Sequence, residues 1–374
     1  MAEPKASVVT ASHTARNALV VLAVIGVGAT LFWLRSILTP LALALFLTLM
    51  IDSFARLLRR RFKFPQIAAL PLAILISLVL FGAAALVVAE NAAGFIGELY
   101  GDAPKLDSLI ARLAGLVGLS VPPTLSQLIQ QINPTAYLGP VASALSNFAS
   151  AAFLVGIYLG FLLASRAGFE KKMASLYNSP GERHRAAIVL LRIRNGVEQF
   201  LWVQTVSGAI IATGSWAVMR AVGLDNALFW AFVIFIINYI PIIGGTLGVA
   251  MPVLFSLVQF DGWWPAVILL VGLQGIGFGV GSILQPRMQG KTLNIDPVVV
   301  LLALAFWGVI WGIPGMILST PLTVVAMAIL AQFAGTRWIA VMLSSDGDPL
   351  GASKFAAAQA KARAARLEAA HSAA

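Results

Sequence analysis

Apolar runs of about 20 residues follow one another from Ala18 to Phe333, and this constrains the chain more than anything else in it. A helix rises 1.5 Å per residue and a hydrocarbon core is about 30 Å thick, so each run has the length of one bilayer crossing. Composition agrees. Of the 374 residues, 59% are apolar or aromatic and 11% charged, whereas soluble domains carry roughly 25% charged residues. The expected fold class is therefore an all-α membrane protein. With no cysteine, disulfides, thiolate metal sites and cysteine nucleophiles are excluded together. The net charge of +10 would fit a nucleic-acid footprint only if basic residues gathered on a folded polar domain, and none is visible.

The first run, Ala18 to Leu34, is followed at once by a second from Ser36 to about Ala55. The small-residue triplet Ala42, Leu43, Ala44 lies inside the second run rather than at a polar boundary, so the pair reads as two uncleaved spans joined by a turn at Arg35. Arg56, Arg59, Arg60, Arg61 and Lys63 precede a third run, Pro65 to Ala89. From Glu90 to Leu145 the chain is mixed and polar, with helical periodicity at Leu106, Leu109, Ile110, Leu113 and Leu116 and again at Leu125, Leu128, Ile129 and Ile132. Two short amphipathic helices outside the membrane are expected there. A fourth run, Ser146 to Ala164, leads into seven cations between Arg166 and Arg194; a fifth span follows from about Gln199 to Ala221, and another from Pro265 to Leu284. With both termini inside, 21 of the 25 Lys and Arg are cytoplasmic, and only Arg35, Lys105, Arg112 and Arg220 lie outside. This is the positive-inside pattern, and the excess charge faces an anionic inner leaflet rather than nucleic acid.

Two segments fit neither one crossing nor two. Asn226 to Val258 is 33 residues long, broken by Asn238-Tyr239-Ile240-Pro241-Ile242-Ile243-Gly244-Gly245-Thr246; Pro297 to Phe333 is 37 residues long, broken by Gly312-Ile313-Pro314-Gly315. Two crossings need about 40 residues and one needs about 20, so re-entrant helical hairpins with tips at membrane depth are expected. Such tips are tolerable only when packed in protein or lining a wet cavity. Asp225 and Asp296 open the two segments, a Pro and Gly break follows in each, and a further proline comes at Pro252 and Pro321. The first begins outside and the second inside, the signature of an inverted repeat whose broken helices mark a substrate path. The competing reading is two kinked structural spans whose prolines only shape packing, as in a non-transporting membrane scaffold.

Asn238 through Gly244, with Gly248 and Pro252 behind them, resembles the N-x-I-P-x-I-G motif of the autoinducer-2 exporter family of bacterial membrane proteins. Gln285-Pro286 through Gly290, then Pro297, then Gly312-Ile313-Pro314-Gly315 with Pro321, is similar to that family's C-terminal signature. The resemblance implies a polytopic transporter of the bacterial inner membrane and a homo-oligomer, pentameric by similarity. It also implies export of a small hydroxylated signal such as autoinducer-2, or sodium/proton antiport as in other members. Gly245 and Thr246 stand where the family more often has a proline and a small residue.

Within that frame the expected organisation is a cytoplasmic tail, 1–17; three spans, 18–89; an extracytoplasmic helical insert, 90–145; a fourth span and basic cytoplasmic segment, 146–198; a transport core of about 199–334; and a basic alanine-rich tail, 335–374. In total this gives about six full spans plus two hairpins. The expected substrate path comprises Asn238, Pro241, Gly244, Gly245 and Thr246 at the first tip and Trp307, Trp311, Gly312, Pro314, Gly315, Ser319 and Thr320 at the second, with Gln274, Gln285 and Asn294 between them. Amides, hydroxyls and free backbone suit a neutral polar ligand; each side chain could equally be gluing helices. An antiporter needs a mid-span carboxylate. Asp52 falls near the cytoplasmic end of its span, leaving Asp225 and Asp296 as ion-coupling candidates, with helix capping as their alternative role. Gly275, Gly277, Gly279 and Gly281 read as a close-packing helix face, not a nucleotide loop, because no strand precedes them. His13, His184 and His371 are scattered, so no metal is assigned; without a Walker A motif, no nucleotide or other cofactor is either, and no enzymatic activity is expected.

Overall fold

The computed structural model describes residues 6–63, 68–77, 149–165, 179–289, 294–333 and 335–349, with a few isolated positions between them. Helix α1 is Ala6–Trp33, α2 Arg35–Phe62 and α5 Pro180–Val222; between the last two come the apolar helices α3, Ala68–Ser77, and α4, Ala149–Ser165. Then follow α6, Ala227–Ile237, α7, Ile243–Gln259, and α8, Trp264–Gly279. A π-helical turn at Val280–Leu284 carries α8 into α9, Gln285–Gln289; α10 is Pro297–Leu330 and α11 Arg337–Leu343. No strand occurs among the described residues, so the chain is an all-α membrane protein. Helices within Arg35–Arg59, Ala186–Val222, Trp264–Met288 and Pro297–Leu330 are long and apolar enough to cross a bilayer. The expected amphipathic helices of the insert and the alanine-rich tail lie outside the described residues.

Helix boundaries follow local chemistry. The α1–α2 break falls at Leu34, and the Arg35 guanidinium lies 4.5 Å over the Phe32 ring. At its C-terminus, α5 closes with Gly223 at φ 83°. There the Gly223 N–H reaches the Arg220 carbonyl at 3.2 Å and the Leu224 N–H reaches that of Met219 at 2.9 Å, the paired bonds of a Schellman motif. At 43 residues, α5 is about 65 Å long and extends well past a hydrocarbon core of about 30 Å; its basic N-terminal half continues the span as one helix instead of forming a loop.

The chain forms two compact units. One contains Met1–Thr39, Arg166–Phe200 and Gly290–Ala374; the other contains Pro40–Ser165 and Leu201–Gln289. The second unit is centred on Met219, Leu224, Trp230, Ile234, Leu269 and Leu273, where α5, α6, α7 and α8 meet. Its α5–α8 contact is made by Gly272, whose missing Cβ would lie 2.9 Å from a Val218 methyl, and by Gly214 against Ile276. The sequence pointed instead to Gly275, Gly277, Gly279 and Gly281 as the close-packing face. Among the described residues, nothing within 4 Å would meet a Cβ at any of the four. In the first unit, α10 and α11 pack through Ile295, Met327 and Ala340.

Candidate functional site

The first interrupted segment folds as two arms packed on one another, so that a Cβ at Gly248 would lie 3.6 Å from the Ile234 side chain. At 11 and 17 residues, the arms reach about 16 and 26 Å, each short of the hydrocarbon thickness. Pro241 has no N–H to continue α6. The chain reverses through Ile242, held at φ 66° and ψ −52°, while the Ile243 N–H bonds the Pro241 carbonyl at 2.7 Å. This is the strained form of the γ-turn, rare for a β-branched residue. Strain of this kind persists only where surrounding structure enforces it. Gly244 then crosses directly over the Ile237 carbonyl, where a Cβ would also come within 2.8 Å of the Asn238 Cα.

A polar stripe on α5 holds this tip. Gln204, 7% exposed, donates its amide N–H to the Asn238 carbonyl, satisfying one of the acceptors left free where α6 ends. The Thr205 hydroxyl pairs with the Tyr239 phenol at 2.7 Å. Ser207 is fully buried; it donates to the Val203 carbonyl at 2.7 Å and accepts from the Gln285 amide at 3.0 Å. Gln285 follows directly on the π-helical turn, and such turns re-aim the side chains beyond them and recur at functional sites. The Asn238 Nδ2 is buried with no hydrogen-bond partner among the described residues and would stand 3.0 Å from a Cβ at Gly208. An orphaned donor of this kind costs about 1–3 kcal/mol.

The second segment is also a hairpin. The Trp307 indole N–H bonds the Thr323 hydroxyl at 3.2 Å across 16 residues; a straight helix would hold these residues about 24 Å apart. The reversal is at Gly312, φ 65° and ψ −145°, a conformation open only to glycine. Three residues on, Gly315 crosses the Trp307 carbonyl with no room for a Cβ. Trp307 and Trp311 are both 8% exposed with ring centroids 5.1 Å apart, and the Trp311 indole bonds the Leu31 carbonyl of α1 at 3.2 Å. Ser319 and Thr320 are buried; Ser319 donates to the Met316 carbonyl at 2.8 Å, while the Thr320 hydroxyl has no partner among the described residues.

The remaining predicted residues divide sharply. Gln274 is exposed on α8, Gly245 and Thr246 are exposed at the first tip, and Pro241 and Pro314 are half-buried at their turns. Asn294 is tied to the Asp346 carboxylate and, at 2.9 Å, to the Asp348 carbonyl, so it fastens the base of α10 to the chain after α11. Asp296 caps α10 by accepting the Val298 N–H at 2.8 Å. Asp225 makes no cap: Asn226 holds the N-cap position in a left-handed conformation, and Gln259 takes the Asp225 N–H at 2.8 Å. Asp52 is 5% exposed, enclosed within α2 beside the cluster of Ile51, Ala55, Leu58 and Ala73. No group of three or more metal-ligating side chains occurs among the described residues. Sequence reasoning missed Gln204, Thr205, Ser207, Tyr239 and Thr323; the polar run within an otherwise apolar span was the available signal for the first three.

Multiple apolar spans and two broken helical hairpins, one of them held by buried amides and hydroxyls, define a polytopic membrane transporter. The chain belongs to the AI-2E family of transporters, whose family model matches residues 19–335. It is 30% identical over 318 residues to the AI-2 transport protein TqsA of Escherichia coli, covering 82% of this chain and 89% of that protein. A putative transport protein of Haemophilus influenzae is 27% identical, covering 89% and 97% respectively. The putative transport protein YhhT of Escherichia coli is 26% identical over 82% of this chain and 88% of its own length. Transport of a small molecule across the bacterial inner membrane follows from that membership.

Proposed function

We propose that the protein exports a small, uncharged, hydroxylated metabolite or signal of the autoinducer-2 type, with the first hairpin lining its path. The observation that carries this reading is the first tip, where Gln204, Thr205, Ser207 and Gln285 gather around a strained turn in an otherwise apolar region. Desolvated amides and hydroxyls at such depth are expensive in a purely structural span. The similarity to TqsA supports autoinducer-2 as cargo. The charge distribution supports cytoplasmic termini, and the family resemblance supports a homo-oligomer, pentameric by similarity. Cells lacking the protein, complemented with wild type, Pro241→Leu or Asn238→Leu at equal expression, test it: both variants should retain autoinducer-2 inside. Unchanged export in both would remove the hairpin from the path.

A second reading, sodium/proton antiport, draws on Asp52, a buried carboxylate toward the cytoplasmic end of its span; ionisable residues buried in spans commonly couple ions. Proteoliposomes loaded with a pH gradient separate the readings. Antiport predicts sodium-dependent collapse of the gradient that Asp52→Asn abolishes, whereas export of an uncharged cargo predicts no sodium dependence.

A further inference from the structure

The Asn238 carboxamide is a group that the fold leaves incomplete. Its Nδ2 is buried and without an acceptor, although the backbone carbonyl of the same residue is bound by Gln204. The amide lies against Gly208, where even a methyl group would stand 3.0 Å from the nitrogen and 3.3 Å from the Phe235 ring. The hydroxyls of the α5 stripe are already engaged, Thr205 with Tyr239 and Ser207 with Gln285 and Val203. These side chains are amides and hydroxyls, and none of them is a cation or a carboxylate.

We infer that the Asn238 carboxamide is the specificity-determining contact of the first hairpin, binding a hydroxyl or carbonyl oxygen of an uncharged ligand. This rests on the transport reading above and narrows it to a chemistry. A ligand oxygen that accepts the Nδ2 hydrogen relieves a desolvated donor, so binding gains what the empty site lacks. A site without compensating charge rejects a carboxylate of similar shape, because the ion would lose its hydration with no counter-charge in return. Gly208 is a positioning residue: its lack of a side chain leaves the space in which the amide rests before it turns toward ligand.

Thermal unfolding of the purified full-length chain tests this, alone, with autoinducer-2, and with ribonate as a charged, oxygen-rich control. Without ligand, Asn238→Leu should unfold at or above the wild-type temperature, because an orphaned polar group has been replaced by an apolar one. Autoinducer-2 should raise the wild-type unfolding temperature and leave Asn238→Leu unmoved, while ribonate moves neither. Gly208→Ala should keep the ligand-free temperature within a few degrees and raise the half-saturating autoinducer-2 concentration about fivefold or more. The inference is overturned if Asn238→Leu unfolds well below wild type yet keeps its full ligand shift, if ribonate stabilises the wild type as autoinducer-2 does, or if autoinducer-2 leaves the wild type unshifted. Failure of the transport reading looks different: wild type is stabilised by autoinducer-2 as expected, but reconstituted vesicles move none of it.

Discussion

Gly315 rests against the Trp307 carbonyl so closely that a side-chain carbon in its place would lie 2.8 Å from the carbonyl carbon and 2.9 Å from the Trp311 Cβ. Gly244 stands in the same relation to the Ile237 carbonyl in the first hairpin. In both cases the nearest atoms are backbone, which cannot rotate aside. Gly315→Ala and Gly244→Ala should each destabilise the fold by about 1–3 kcal/mol or more through overpacking. Gly245, one residue away with open surroundings, should accept alanine within about 0.5 kcal/mol. Thermal unfolding of the three variants decides; equal temperatures for Gly315→Ala and Gly245→Ala would mean that the arms do not need this approach.

The Trp307–Thr323 hydrogen bond closes the second hairpin across the reversal. Trp307→Phe and Thr323→Val should each lower stability, and the double variant should lose less than the sum, with a coupling of about 0.5–1.5 kcal/mol. A double-mutant cycle read by thermal unfolding measures it. Strict additivity would mean that the indole and the hydroxyl do not communicate, contrary to the geometry.

The hairpins were legible because length and interruption act together: a run too short for two crossings, with proline and glycine at its middle, leaves the backbone few other arrangements. Gly312 at φ 65° shows why the glycine had to be there. Packing partners were not legible in the same way. Gly275 and Gly279 have the spacing of a contact face, yet Gly272 and Gly214 make the contact, because periodicity identifies a face without saying what lies opposite. Asn294 looked like a ligand group by residue type alone, and its tie to residues 346 and 348 depends on a chain reversal that no local pattern announces. Gln204 and Ser207 were overlooked for the opposite reason: polar residues in a span usually glue helices, and only the fold brings Gln204 to the Asn238 carbonyl and Ser207 to Gln285.

Access of water to the tips can be measured directly because the natural chain has no cysteine. Gly245 is exposed with open space around it, and Ile313 is 65% exposed beside the Gly312 reversal. Cysteine at 245 or 313 should therefore fold normally and react with a membrane-impermeant thiol reagent, and autoinducer-2 should slow the reaction at 245. Complete protection of both positions in the ligand-free protein would place the tips in lipid or in dry protein instead of on an aqueous path.

The α5–α8 contact supplies the last test, because it separates glycines that pack from glycines that only look as if they should. A Cβ at Gly272 would lie 2.9 Å from a Val218 methyl, and valine has little χ1 freedom with which to retreat. At Gly214 the nearest atoms are the Ile276 Cδ1 at 3.2 Å and Cγ2 at 3.3 Å, a looser approach than that at Gly272. Gly272→Ala should therefore cost about 1–3 kcal/mol, Gly214→Ala less, and Gly275→Ala close to nothing within a single chain. Adding Val218→Ala to Gly272→Ala should restore part of the loss, although Val218→Ala alone destabilises by removing apolar contact. That reversal of sign is specific to a steric clash: if the double variant is less stable than either single one, the glycine is there for some reason other than close approach of the two helices.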